Sequence, residues 1–211
     1  MHLLTADTAE TQILLLQVEQ GDPAALGQLL ARHQDYLRRV VELRLEVRLR
    51  GRVDPSDVVQ EGLLEACNRI GDYLSRRPMS FRLWLRQTTQ QKLIDLRRRH
   101  LTTAQRSVRH ELPLPSSSSL QLARALLAPA GESPSRQLAE QELVMAVRQA
   151  LADMSEEDRE ILLLRNFEEL SSQESAVVLG IAPAAASKRY GRALLRLRKV
   201  LQEHGQTGSA P

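Results

Sequence analysis

The sequence predicts an all-α protein: two small helical domains joined by a flexible linker. Three observations carry that expectation. Hydrophobic residues make up 42% of the chain but aromatics only 3%, so the cores must be built from Leu, Val and Ala. A chain rich in Leu, Ala, Arg, Glu and Gln, without apolar/polar alternation, favours helices over strands. Segments with helix caps at both ends are interrupted once, from 102 to 134, by Pro113, Pro115, four serines (Ser116–Ser119), Pro129, Gly131 and Pro134. That composition suits a tether. Finally, Leu170–Val200 carries the punctuation of two helices around a tight turn. The expected boundaries are a first domain over 1–101, the linker over 102–134, a second domain over 135–204 and a disordered tail over 205–211.

In the first domain a short helix runs from about Thr8 to Gln20 (Ile13, Leu14, Leu16, Val18) and ends at Gly21. Asp22-Pro23 supplies an N-cap and a proline at the first helical position, where its missing N–H costs nothing. The helix it opens is expected to reach about Arg50, with Leu26, Leu30, Leu37 and Val41 on one stripe. Asp54-Pro55 repeats the start. The third helix places Val58, Leu63, Ala66 and Ile70 inward and closes at Gly71 and the Arg76-Arg77-Pro78 turn. The fourth, from about Ser80 to His100, uses Phe81, Trp84, Leu85, Leu93 and Leu96. Packing in an aromatic-poor core is the favoured role for Phe81 and Trp84. Stacking on unpaired bases is the alternative.

Within the linker a transient helix is expected at Leu120–Leu127. Helices resume at about Ser135, through Leu143, Val147 and Leu151. Ser155 then opens a helix holding Ile161–Leu164. Ser171 and Glu174 form a capping box, in which each side chain satisfies the other residue's free backbone donor. The short helix ends at Gly180, the residue best suited to a left-handed cap, and Pro183 begins the next. Two helices with a Gly in a tight turn describe a helix-turn-helix. The second carries Lys188, Arg189, Arg192, Arg196, Arg198 and Lys199 with no acid before Glu203, as a helix in a DNA groove requires. A plain αα-hairpin with a solvated basic face is the bland alternative.

The net charge of +3 does not announce a nucleic-acid binder, but its distribution is informative. Eight acids crowd Asp153–Glu174, immediately before the basic helix, and Arg86–Arg109 holds only one acid, Asp95. Two electropositive faces are expected. The single Cys67 excludes an intramolecular disulfide and a multi-cysteine zinc site, and reads as a small buried hydrophobe. His2, His33, His100, His110 and His204 are scattered and read as surface residues. The chain has no Gly-rich phosphate loop, no HExxH and no Cys/His cluster, so neither an enzyme, a metal nor a cofactor is expected. Lacking an 18-residue apolar run or a signal peptide, the protein is expected in the cytoplasm.

Two sets of residues resemble a known family. One is Asp54-Pro55-Ser56-Asp57-Val58-Val59-Gln60-Glu61, then Phe81-x-x-Trp84-Leu85, then Asp95, Arg98 and Arg99. The other is the acidic Ser155–Glu160 start, Leu170-Ser171, Leu179-Gly180-Ile181 and Ser187-Lys188-Arg189-Tyr190-x-Arg192-Ala193. Together they resemble bacterial sigma-70 factors, most nearly the compact extracytoplasmic-function (ECF) group, which keeps only sigma domains 2 and 4. The resemblance covers about Asp22–His100 and Leu138–Gln202. It implies that Asp57, Gln60 and Glu61, on one helix face, dock on the β′ clamp helices of core RNA polymerase, and that the β flap is a second contact. It implies that Arg86, Gln87, Gln91, Lys92, Arg98 and Arg99 serve recognition and melting of the promoter −10 element, where a flipped base is held. Where the family usually has Asn, seven positions after Trp84, this chain has Gln91, whose extra methylene alters its reach toward an adenine edge. Ser187, Lys188, Arg189 and Arg192 would read the −35 element, since Ala184, Ala185 and Ala186 offer only methyl contact. In this class free sigma is commonly held inactive by an anti-sigma partner.

Two rivals remain at this stage. A helix-turn-helix regulator that does not act as a sigma subunit would bind duplex DNA tightly by itself. A protein-only decoy would leave the basic face of Ser187–Lys199 dispensable.

Overall fold

The computed structural model describes residues 7–45, 49, 51–101, 114–126 and 136–207. Every regular element among them is a helix, and the chain divides into two units, Met1–Val108 and Arg109–Pro211.

The first unit holds α1 (Ala9–Glu19), α2 (Pro23–Arg44), α3 (Pro55–Arg76) and α4 (Phe81–Leu101). Their starts follow the local chemistry of the sequence. Asp22 Oδ1 accepts from the Ala24 N–H at 2.8 Å and Asp54 Oδ1 from the Ser56 N–H at 2.7 Å, each followed by proline in the first turn. The core lies where α2, α3 and α4 converge: Leu29, Leu37 and Val41 against Val58, Ala66, Phe81, Leu85 and Leu93, all buried. Tyr73, Phe81 and Trp84 pack ring against ring, 4.7–5.6 Å between centroids, so packing is the role the structure gives both Phe81 and Trp84. Gly62 permits a close approach of α3 to α4, because a Cβ there would stand 2.5 Å from Thr89 Oγ1 and 3.1 Å from its Cα.

Three expectations for this unit are corrected. The second helix stops at Arg44 rather than near Arg50. Leu45 adopts extended backbone (ψ 116°), and Leu45, Leu49 and Val53 are buried, so the connection itself feeds the core. Gly71 lies within α3, because the buried Tyr73 holds a further turn in the core; the expected Arg76-Arg77-Pro78 turn does close the helix, with Arg77 in the left-handed region (φ 37°). His33 is a core residue, not a surface one, edge-on to Phe81 at 5.5 Å. Burial, aided by Arg82 and Arg32, lowers its pKa to about 4. His2 and His110 lie outside the described residues, as do the side chains of His100 and His204. Cys67 is half-buried.

The second unit holds α5 (Ser116–Leu126), α6 (Arg136–Asp153), α7 (Glu156–Asn166), α8 (Ser172–Leu179) and α9 (Pro183–Thr207). The expected tether is interrupted by α5, which packs on α6. Leu114, Ser119, Leu122 and Ala123 are buried, the Arg148 guanidinium donates to the Leu114 carbonyl and to Ser116 Oγ, and Arg124 pairs with Glu140. Residues 102–113 and 127–135 lie outside the described set. At the other end α9 continues to Thr207, so the expected tail is helical over 205–207, and 208–211 are not described. Among the described residues no helix is long and apolar enough to cross a membrane.

Candidate docking and nucleic-acid interfaces

Asp57, Gln60 and Glu61 stand on the first two turns of α3, and all three are exposed. Leu64, one turn beyond Gln60, adds an apolar side chain left 65% exposed. The face is tied to α4 by two ion pairs: Lys92 Nζ to Glu65 at 2.9 Å and Arg99 to Glu61 at 3.9 Å. The hydrogen bond and charge of Lys92 hold the Glu65 carboxyl below its usual range.

Of the residues assigned to α4, Gln87, Gln91, Arg98 and Arg99 are exposed. Arg86 is not. It is 3% exposed and donates to Gln90 Oε1 at 2.8 Å, so the expectation that it faces DNA is corrected: a buried guanidinium that is hydrogen-bonded inside the fold presents no donors outward. Lys92 is half-buried in its pair with Glu65. Gln91 donates to Asp95 Oδ1 at 3.1 Å.

Gln87 and Gln91 also line a cleft of about 330 Å³ between the end of α3, the 77–80 loop and α4. Arg69, Asp72 and Arg76 from α3, Pro78 and Met79 from the loop, and Tyr73, Trp84 and Thr88 complete its wall. Cations and amides around a hollow of this size can offer phosphate contacts and base-edge hydrogen bonds, beside one carboxylate, Asp72, whereas Tyr73 and Trp84 are buried and offer no free ring face. Sequence reasoning missed Arg69 and Arg76, although Arg69, Asp72 and Arg76 recur at helical spacing. The loop is strained at Arg77, a non-glycine left-handed residue directly before a proline; such positions cost on the order of 1–3 kcal/mol.

In the second unit the helix-turn-helix forms as its caps require. The capping box is complete, with Ser171 N–H donating to Glu174 Oε2 at 2.8 Å and Glu174 N–H to Ser171 Oγ at 3.1 Å. Gly180 is left-handed (φ 63°). Lys188 and Arg192 are exposed on α9. Ser187 Oγ is 2.7 Å from Ser172 Oγ on α8, and Arg189 is largely covered and lies 3.3 Å from Glu157. Arg196 pairs with Asp158. Ala186 is fully buried, which leaves Ala184 and Ala185 as the outward small residues of the first turn. Tyr190 sits at the rim, its hydroxyl donating to Asn166 Oδ1 at 3.1 Å and its ring under Arg165.

The family model for ECF sigma factors matches residues 8–204, nearly the whole chain. The chain belongs to the ECF sigma factor family. Its relatives include the RNA polymerase sigma factor CnrH of Cupriavidus metallidurans, 32% identical over 90% of this sigma factor and 93% of CnrH. NccH of Alcaligenes xylosoxydans xylosoxydans is 29% identical over 93% and 97%. The probable RNA polymerase sigma factor RfaY of Xanthomonas campestris pv. campestris is 35% identical over 74% of this chain, which spans only 36% of RfaY. The solved structure of CnrH in complex with the cytosolic domain of CnrY superposes with a TM-score of 0.56 at 23% identity, covering 92% of this chain and 99% of that one. It shares the all-helical fold.

Proposed function

We propose that this sigma factor binds core RNA polymerase and directs promoter-specific initiation, the two units dividing the work. The Asp57/Gln60/Glu61 face of α3 docks on the β′ clamp helices, where exposed acceptors suit an arginine-bearing partner helix. The α4 cleft receives an unpaired base of the melted −10 strand, with Gln87 and Gln91 at its edge and Arg98 and Arg99 on phosphates. Unit two presents α9 to the −35 major groove through Ser187, Lys188, Arg189 and Arg192, and meets the β flap. The observation that carries the reading is the cleft in unit one: amides and arginines line a hollow on α3 and α4, and the same α3 carries the exposed acidic face at its other end. An isolated helix-turn-helix regulator has no use for that arrangement. CnrH was solved with the cytosolic domain of CnrY bound, and an anti-sigma partner covering these surfaces is part of the proposal. So is a cytoplasmic site of action, beside the polymerase. RNA synthesis belongs to the polymerase.

In vitro transcription from a promoter library, with core polymerase alone and with this protein added, tests it. Transcripts sharing two spaced elements are expected. Gln60→Ala/Glu61→Ala should lower core binding, and Lys188→Ala/Arg192→Ala should leave core binding intact while removing −35 preference. Absence of sigma-dependent transcripts, with tight duplex binding by the protein alone, would overturn the proposal in favour of a regulator.

A further inference from the structure

The loop that rims the cleft is held from outside by α1. Its first residue, Arg77, pairs with Glu19 at the C-terminal end of α1. Its far end is fixed where the Phe81 N–H, the first of α4, donates to both carboxylate oxygens of Asp7 at 2.9 and 3.1 Å, just before α1 begins. Between them Tyr73 Oη donates to the Met79 carbonyl at 3.1 Å. Burial and the Asp7 carboxylate push the Tyr73 phenol up, so it remains a donor. Pro78 and Met79, the residues between these anchors, line the cleft. A strained left-handed Arg77 persists only where its surroundings over-determine it, and here two carboxylates some 12 positions apart on either side of one helix do so.

We propose that Asp7 and Glu19 are positioning residues for −10 recognition: by clamping the 77–80 loop they set the shape of the cleft and hence which base it accepts. This rests on the −10 reading of the cleft. Neither carboxylate lines the hollow, and both act through the loop.

The test assembles holoenzyme from core polymerase and the full chain, and measures −10 selectivity on the promoter library for wild type, Asp7→Ala, Asp7→Asn and Glu19→Ala. Asp7→Asn keeps a side-chain oxygen for the Phe81 N–H. Asp7→Ala and Glu19→Ala should lower discrimination at one −10 position by about threefold to tenfold, with −35 preference unchanged, and Asp7→Asn should retain the wild-type order. Glu19 is a partly exposed surface residue, so its variant carries the test should Asp7→Ala fold poorly. An unaltered −10 profile in the variants, or an equal loss on every −10 sequence, would overturn the assignment. Wild type giving no sigma-dependent transcripts would instead sink the −10 reading beneath it.

Discussion

At the scale of single residues, caps were legible and side-chain burial on polar helices was not. Asp22, Asp54, Ser155 and Ser171 all cap as their spacing demands. Arg86 was misplaced because α4 is polar on nearly every side, burying Thr88 and Thr89 as well, so periodicity could not tell its inner face from its outer. His33 was misplaced for a different reason: nothing local marks a histidine that a ring from another helix will cover. That burial has a measurable consequence. Because the folded pKa of His33 lies near 4, below the unfolded value, its neutral form is the one the fold keeps. Stability is full above about pH 6.5, falls as pH drops toward 4, and loses about 3 kcal/mol in all. Chemical denaturation followed by the single tryptophan, Trp84, should show this slope, and His33→Leu should flatten it; an equal slope in both would refute the account. A second residue-scale prediction concerns Glu157. Its pair with Arg189 is solvent-exposed on the carboxylate side and worth at most about 1 kcal/mol. Glu157→Gln should release Arg189 to DNA and tighten holoenzyme binding to promoter by about twofold to fivefold at low salt. Weaker binding would mean that Glu157 instead aims Arg189 for readout.

At the scale of elements, helix order was readable throughout, and the errors cluster where long-range packing overrides a local signal. Gly71 looked like a stop and became mid-helix because Tyr73 is buried beyond it. A transient helix was expected at Leu120–Leu127 within a tether; α5 already starts at Ser116, and Leu122 and Ala123 give it an apolar face that α6 covers. The helix-turn-helix was legible in full, since its caps and its left-handed glycine are all local chemistry. The approach of α3 to α4 was not, because Gly62 gives no sign in sequence of the Thr89 backbone that will meet it. Gly62→Ala should displace the Thr89 side chain and ease these helices apart by a few tenths of an ångström, at a cost of about 1–3 kcal/mol. Since α3 carries the docking face and α4 half of the cleft, core binding and −10 selectivity should weaken together. Thermal unfolding with the core-binding assay checks both; a stable variant with both activities intact would show that the contact relaxes freely.

At the scale of the whole molecule, the chain divides into two units of similar length. If each unit holds one promoter element, the chain between them acts through effective concentration. Once one unit is bound, the other is confined to the volume the linker permits. Loop entropy varies only slowly with length, so doubling a flexible linker costs about 0.6 kcal/mol. Inserting roughly ten Gly/Ser residues between 102 and 108 should therefore reduce transcription from a fixed promoter by no more than about threefold. Cutting the chain at a protease site placed between 102 and 108, with both fragments retained, should lower it by a hundredfold or more, on the order of the avidity that linkage supplies. Run-off transcription on the promoter chosen from the library separates the two cases. A short insertion that abolishes activity would mean that the intervening segment, α5 included, is a rigid spacer rather than a tether, and the geometry of α5 on α6 would then be what sets the promoter spacing.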